Sequence, residues 1–297
     1  MAGAGADEKR RRTLHLGATI LICLLVGGCS LANAPILDPK GPIALAERDI
    51  LFRAFAIMMV VVIPVFVMAF WFAWRFRASN RQAPYDPNWM SSRIDAITWI
   101  VPSLIVVSVG AHVLIYTFQL DPYRPIDPAA EPLEVQVVAQ DWKWLFVYPQ
   151  QGVAAVNEMA IPAGVPIQLS ITSDTVMNSF FIPALGGQIY AMAGMRTELN
   201  VQADAPGRFV GRNTQYSGDG FADQQFTAVA MSESDFDAWV ASAAASPDRL
   251  DAATYSEIAK PSIAAPVAYY SAVEPDLFAG IIRKYDRSGA GHAANSH

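Results

Sequence analysis

Two apolar runs constrain this chain more than any other feature in it. Ala54 to Trp74 is 21 residues without a charge, about 31 Å of helix at 1.5 Å per residue, which matches a hydrocarbon core of ~30 Å. Ala96 to Leu120 is 25 residues whose only acidic or basic side chain is His112, long enough to span with some tilt. Pro64 and Pro102 fall inside the runs, where a membrane helix tolerates a kink. Trp71, Phe72, Trp74 and Trp99 stand at the ends joined by the intervening loop, as an interfacial aromatic belt would. In that loop, 75–95, Arg75, Arg77, Arg81 and Arg93 oppose the acid Asp86, with Asp95 at its far end. The excess of arginine places the loop on the cytoplasmic side and both flanking segments outside.

The N-terminus agrees with that topology. Lys9 to Arg12 is a basic stretch, Leu16 to Val26 an apolar one, and Gly27 and Gly28 then lead into Cys29. These are the three parts of a secretory signal. Val26-Gly27-Gly28-Cys29 resembles the bacterial lipobox, which implies removal of residues 1–28 and lipidation of Cys29, as in a palmitate-bearing lipoprotein. Acyl chains contribute roughly 0.8 kcal/mol per buried CH₂ and hold such an N-terminus at the outer membrane face. The other reading is an uncleaved span with a free cysteine. Residues 29–53 are then an outer, periplasmic N-terminal segment.

Composition divides the chain. At 53% apolar and 16% charged, it is too apolar for an ordinary soluble domain and too charged for a polytopic transporter. Residues 1–120 carry eleven Lys/Arg against seven Asp/Glu, a net +4, and residues 121–297 carry ten against twenty, a net −10. An acidic back half argues against a nucleic-acid partner, which requires a basic face. Residues 121–132 are a proline-rich linker. From 133 to 231 short β-rich runs alternate with turn signals, predicting strands at Leu133–Gln140, Trp144–Tyr148, Ile167–Thr172, Arg196–Gln202, Gly207–Gly211 and Gln225–Ala230. Such spacing suggests a sandwich or barrel. Residues 232–287 read as helical, with Ser232 or Ser234 as an N-cap, and residues 288–297 as a mobile tail.

Several longer motifs carry a resemblance. Asp141-Trp-Lys-Trp-Leu-Phe-Val-Tyr-Pro149, following two spans, looks like subunit II of the haem-copper respiratory oxidases. Asn157-Glu-Met-Ala-Ile-Pro162, Val176-Met-Asn-Ser-Phe-Phe-Ile-Pro183 and Gln188-Ile-Tyr-Ala-Met-Ala-Gly-Met195 resemble the quinol-oxidising branch, the cytochrome bo type ubiquinol oxidases. The resemblance implies a membrane-anchored fold: a two-helix transmembrane hairpin, a cupredoxin-like β-sandwich as outer domain, and a C-terminal helical region. It also implies a bacterial inner-membrane complex that oxidises quinol, reduces O₂ to water and pumps protons. Its subunit I carries the haems and copper, and smaller membrane subunits accompany it.

In the cytochrome c oxidase branch this domain holds two copper ions through two histidines, two cysteines in a Cys-x₃-Cys spacing, a methionine and a backbone carbonyl. Laid on this sequence, those side-chain positions fall at Asn178, Asn213, Ser217, Phe221 and Gln224. None is the soft ligand that such copper takes. Residues 121–287 contain neither His nor Cys, so that conclusion does not depend on the alignment. The methionines Met159, Met177, Met192, Met195 and Met231 read as core packing. The expectation is a chain with no metal, no cofactor of its own, no catalytic residue and no cytochrome c partner. Trp142 and Trp144 are expected at the interface with subunit I.

Asp95 stands where the family places a glutamate at the mouth of a proton-uptake channel. Aspartate keeps the carboxylate with a reach one CH₂ shorter. A carboxylate at a membrane edge can relay protons; an acid in the first turn of a helix also simply suits the dipole. His112 is expected to hydrogen-bond between helices. Three readings stand together: a bracing subunit of a quinol oxidase, a free-standing membrane lipoprotein binding module with a cupredoxin-like domain, and a copper-dependent cytochrome c oxidase subunit.

Overall fold

A computed structural model describes residues 34–80 and 91–293, with side chains as far as Tyr285. The signal peptide, Cys29, Arg81 and Asp86 lie outside the described residues. Helix α1 (Pro42–Arg75) and helix α2 (Ser92–Gln119) contain the two apolar runs and are long and apolar enough to cross a membrane. Both begin earlier than the apolar runs. Glu47, Arg48, Asp49 and Arg53 end the apolar pattern, but no Gly or Pro interrupts residues 43–63, so the helix continues outward to Pro42 at its first turn. Part of the segment expected as a separate 29–53 stretch is therefore the same rod as the span. Helix α2 likewise takes Asp95 into its first turn.

The outer end of the hairpin is bonded to the β-domain. Lys40 N donates to Ala184 O at 2.8 Å, Ala44 N to Leu185 O at 3.2 Å, and Gly187 N to Glu47 Oε1 at 3.1 Å. A Cβ on Gly41 would lie 2.1 Å from the Gln202 carbonyl oxygen, so only glycine permits this approach. On the other arm, Asn200 N and Nδ2 both donate to Pro122 O, at 3.1 and 2.9 Å.

Eleven strands form two sheets among the described residues. They are β1 (Leu133–Gln140), β2 (Lys143–Tyr148), β3 (Val153–Val156), β4 (Glu158–Pro162), β5 (Ile167–Ser173), β6 (Asn178–Phe181), β7 (Gln188–Ala191), β8 (Thr197–Val201), β9 (Gly207–Asn213), β10 (Gln225–Met231) and β11 (Ala268–Tyr270). One sheet has the order β11-β3-β2-β1-β5-β8 and the other β4-β10-β9-β6-β7. The six strands expected from sequence all form, with ends shifted by at most two residues. Those not expected have three to five residues, too few for alternation to show. On β2, Trp144, Phe146 and Tyr148 alternate into the core between the sheets, while Leu145 and Val147 pack under the C-terminal region. This strand is buried on both faces.

The C-terminal region comprises α3 (Glu233–Ala244), α4 (Ala252–Ile258) and α5 (Leu277–Ala293). Ser232 caps α3, its Oγ accepting from Asp235 N at 3.2 Å. The region is not purely helical: β11 pairs antiparallel with β3 and completes the first sheet. Helix α5 also runs past Ser288, where the tail was expected to begin.

Candidate functional site

Pairing of β6 with β9 sets Phe180 opposite Asn213, which brings Asn213 to the start of β6 and beside Asn178. The loop from β9 to β10 then folds back through a short 3₁₀ turn at Phe221–Asp223 and returns Gln224 to the same point. Asn213 Nδ2 lies 2.7 Å from Asn178 Oδ1, 2.8 Å from Gln224 Oε1 and 3.1 Å from Ser217 Oγ. It shares its two protons among these acceptors. Ser217 Oγ donates to Gln224 Oε1 at 2.8 Å, and Gln224 Nε2 to the Gln140 carbonyl at 3.2 Å. Asn213 Oδ1 accepts from the backbone amides of Ser179 and Gln215 at 2.8 and 2.9 Å. Asn178, Asn213 and Gln224 are buried.

Trp142 covers the cluster. It sits in the tight turn from β1 to β2 with φ of 65° and donates its indole N–H to Ser217 O at 3.1 Å. A Cβ on Gly220 would fall 2.4 Å from Trp142 Cδ2, so the loop approaches the indole face only because a glycine is there.

Four of the five positions read as lost copper ligands thus meet in one bonded cluster. Phe221 does not join it; its half-buried ring packs on Tyr216, centroids 5.7 Å apart. Trp144 departs from expectation. It is fully buried, edge-on to Phe180 at 5.3 Å and Phe226 at 5.7 Å, so it belongs to the core and cannot form an interface with another subunit. Of the methionines, Met159 is in the core, but Met177 and Met195 are exposed rather than packed. Asp95 is exposed in the first turn of α2. Cys29 lies outside the described residues.

The cluster offers amide and hydroxyl groups already committed to one another. Copper of this class takes thiolate and imidazole, and these residues do not fit it. Among the described residues no group of three or more His, Cys, Asp or Glu side chains is gathered anywhere as a metal site.

A second polar cluster flanks the first and was not foreseen. The Asp174 side chain, 2% exposed, accepts from Tyr255 OH at 2.7 Å and from Lys284 Nζ at 2.7 Å. Burial, with the adjacent Asp174 carboxylate, pushes the Tyr255 hydroxyl well above its usual range, and the Asp174 bond raises the Lys284 ammonium. Lys143 is buried too, donating to Lys260 O at 2.6 Å and Ser262 Oγ at 2.5 Å. Desolvation lowers its pKa, with Asp141 opposing. These contacts bind α4, α5 and the segment before β11 to the sandwich.

Comparison with known proteins agrees with the motifs. Residues 149–226 match the family "Cytochrome C oxidase subunit II, periplasmic domain", and residues 244–288 match the "COX Aromatic Rich Motif". The chain is 48% identical to a cytochrome bo(3) ubiquinol oxidase subunit 2 of Pseudomonas putida, over 97% of this chain and 91% of that one. It is 46% identical to a ubiquinol oxidase subunit 2 of Acetobacter aceti, over 93% and 89%. A solved structure, the periplasmic domain of subunit II of cytochrome oxidase of Bradyrhizobium japonicum, overlaps 39% of this chain and 94% of that one at a TM-score of 0.37 and 24% identity. The sequence relatives and the matched periplasmic-domain family define the class as second subunits of haem-copper oxidases. Within that class, the chain belongs to the family of subunit II of the cytochrome bo type ubiquinol oxidases. Its two long apolar helices and its match to a periplasmic domain fit an inner-membrane subunit.

Proposed function

We propose that this chain is the non-catalytic, bracing subunit of a quinol-oxidising terminal oxidase that reduces O₂ to water and pumps protons. Haems and copper reside in its partner, subunit I, and electrons enter from quinol in the membrane without passing through the β-domain. The observation that carries this reading is the Asn178–Asn213–Ser217–Gln224 cluster. It fills, with neutral groups bonded to each other, the place where an electron-accepting copper centre would need soft ligands. A domain so built has nothing to receive an electron from cytochrome c. Its role is then structural: it covers the outer face of subunit I, and the hairpin packs beside the partner's helices.

The finer assignments belong to the same proposal. Residues 1–28 are removed and Cys29 is lipidated, so that the mature N-terminus and the β-domain share the periplasmic side. Residues 54–74 and 96–120 cross the membrane, and smaller membrane subunits complete the complex. Asp95, at the cytoplasmic start of α2, supplies a carboxylate at the proton-uptake entrance. Extraction in mild detergent tests the reading against that of a free-standing lipoprotein module. Co-purification with haem absorbance and quinol-dependent oxygen consumption is expected. A colourless chain without partners contradicts the proposal.

A further inference from the structure

Arg53 is the last charge before the 21 apolar residues of α1, at the level where a helix leaves the hydrocarbon for the outer headgroups. Its guanidinium donates through Nη1 to the hydroxyl of Tyr116, on the last turns of α2, and also lies over the Tyr116 ring at 5.9 Å from the centroid. His112 packs on the inner side of the same ring, centroids 5.9 Å apart. Arg53 is exposed, and among the described residues no carboxylate lies within ion-pair distance of it. Asp49, one turn outward, pairs with Arg48 at 3.4 Å instead.

We propose that Arg53 and Tyr116 form a binding site for the phosphate of an anionic phospholipid in the outer leaflet. Guanidinium presents five N–H donors in a planar fork that suits phosphate, and only one is committed to Tyr116. The Tyr116 hydroxyl spends an acceptor site on Arg53 and keeps its own proton to donate. One phosphate can therefore accept from both side chains at once. The bond between helices holds the arginine in place, unlike a freely snorkelling side chain, so less freedom is lost on binding. An uncompensated cation at this depth favours a net anionic headgroup over one that carries its own ammonium.

The test uses the purified full chain and its variants in detergent with equimolar phosphatidylglycerol and phosphatidylcholine, retained lipid being counted by native mass spectrometry. The wild type is expected to prefer phosphatidylglycerol by about tenfold, a ratio in keeping with charge-assisted bonds. R53Q brings that preference close to parity, Y116F reduces it by about threefold, and R48Q leaves it unchanged. Thermal unfolding of the β-domain serves as the fold control and is expected to be the same in all four proteins. Equal preference in R53Q and wild type overturns the proposal, as does an equal loss in R48Q, which would indicate diffuse surface charge. In the assembled oxidase, release of a partner subunit by R53Q with lipid retention unchanged also overturns it, by assigning the arginine to a partner's carboxylate. Quinol oxidation measured on the same preparations keeps this outcome separate from the functional assignment.

Discussion

Asn213 Nδ2 reaches Asn178 Oδ1 at 2.7 Å, joining the end of β9 to the start of β6, and both side chains are buried. These are two of the positions that the resemblance assigns to lost copper ligands, Asn213 to a cysteine and Asn178 to a histidine. On the proposed reading, hydrogen-bonded amides tie together the loops that copper would tie in the copper-bearing branch. In Asn213→Ala, Asn178, Ser217 and Gln224 lose a shared donor and two backbone amides lose their acceptor. A stability loss of about 2–3 kcal/mol is expected, within the range for buried polar groups left unsatisfied. Urea unfolding of the full chain measures it, and a loss below about 0.5 kcal/mol, the scale of a neutral surface change, contradicts the account.

Gly220 permits the loop to lie on Trp142, and Gly220→Ala drives a methyl group into the indole. The atoms it meets belong to the indole ring itself, so the ring must move and its bond to Ser217 O is strained. Overpacking of this kind costs about 1–3 kcal/mol. Thermal unfolding checks the loss; a Tm equal to that of the wild type would mean that the loop is not held against Trp142.

Much of this fold was legible from the chain. Strand β1 was readable to the residue because Val135, Val137 and Ala139 alternate inward over eight positions. Strands β6 and β7 were not, since four residues give no usable period. The outward extension of α1 was hidden by charges that interrupt hydropathy without interrupting the helix. The cluster positions were found through motifs, yet Gln140 and the covering role of Trp142 depend on the turn between β1 and β2, where Trp142 takes a positive φ. The burial of Trp144 did leave a signal: Trp144, Phe146 and Tyr148 share one strand face, a pattern that points into a sandwich. Arg53 and Tyr116 are 63 residues apart and meet only because the hairpin closes.

Lys284 fixes α5 to the buried Asp174 carboxylate. Lys284→Met leaves that carboxylate with the hydroxyls of Tyr255 and Tyr285 as donors but without its cation, at a cost of about 1–2 kcal/mol. Hydrogen exchange should quicken across Leu277–Tyr285 while β1 and β5 stay protected. Unchanged exchange in α5 would show that the ion pair does not anchor the helix.

Tyr269 donates to Glu158 Oε1 at 2.5 Å, and burial together with this bond pushes its hydroxyl up to about 12. The unfolded value is about 10. Because folding raises the pKa, the contribution to stability is full below about pH 10 and is lost as the pH climbs through about 12. Circular dichroism across that window should show a shallower alkaline decline in Tyr269→Phe than in the wild type. Superimposable curves contradict the assignment.

Asp95→Asn removes the carboxylate from the first turn of α2 while keeping its size. Oxygen consumption and proton uptake by the assembled oxidase are expected to fall together, by about tenfold or more for loss of a proton-relaying group. Rates equal to wild type would leave Asp95 as a helix-start acid alone.

The central claim is that electrons do not pass through the β-domain of this subunit. The most direct measurement purifies the native complex containing this chain and compares oxygen consumption with ubiquinol and with reduced cytochrome c as the sole donor. Turnover with ubiquinol and none with cytochrome c is the predicted result. Turnover with cytochrome c, together with copper bound by this subunit, would contradict it.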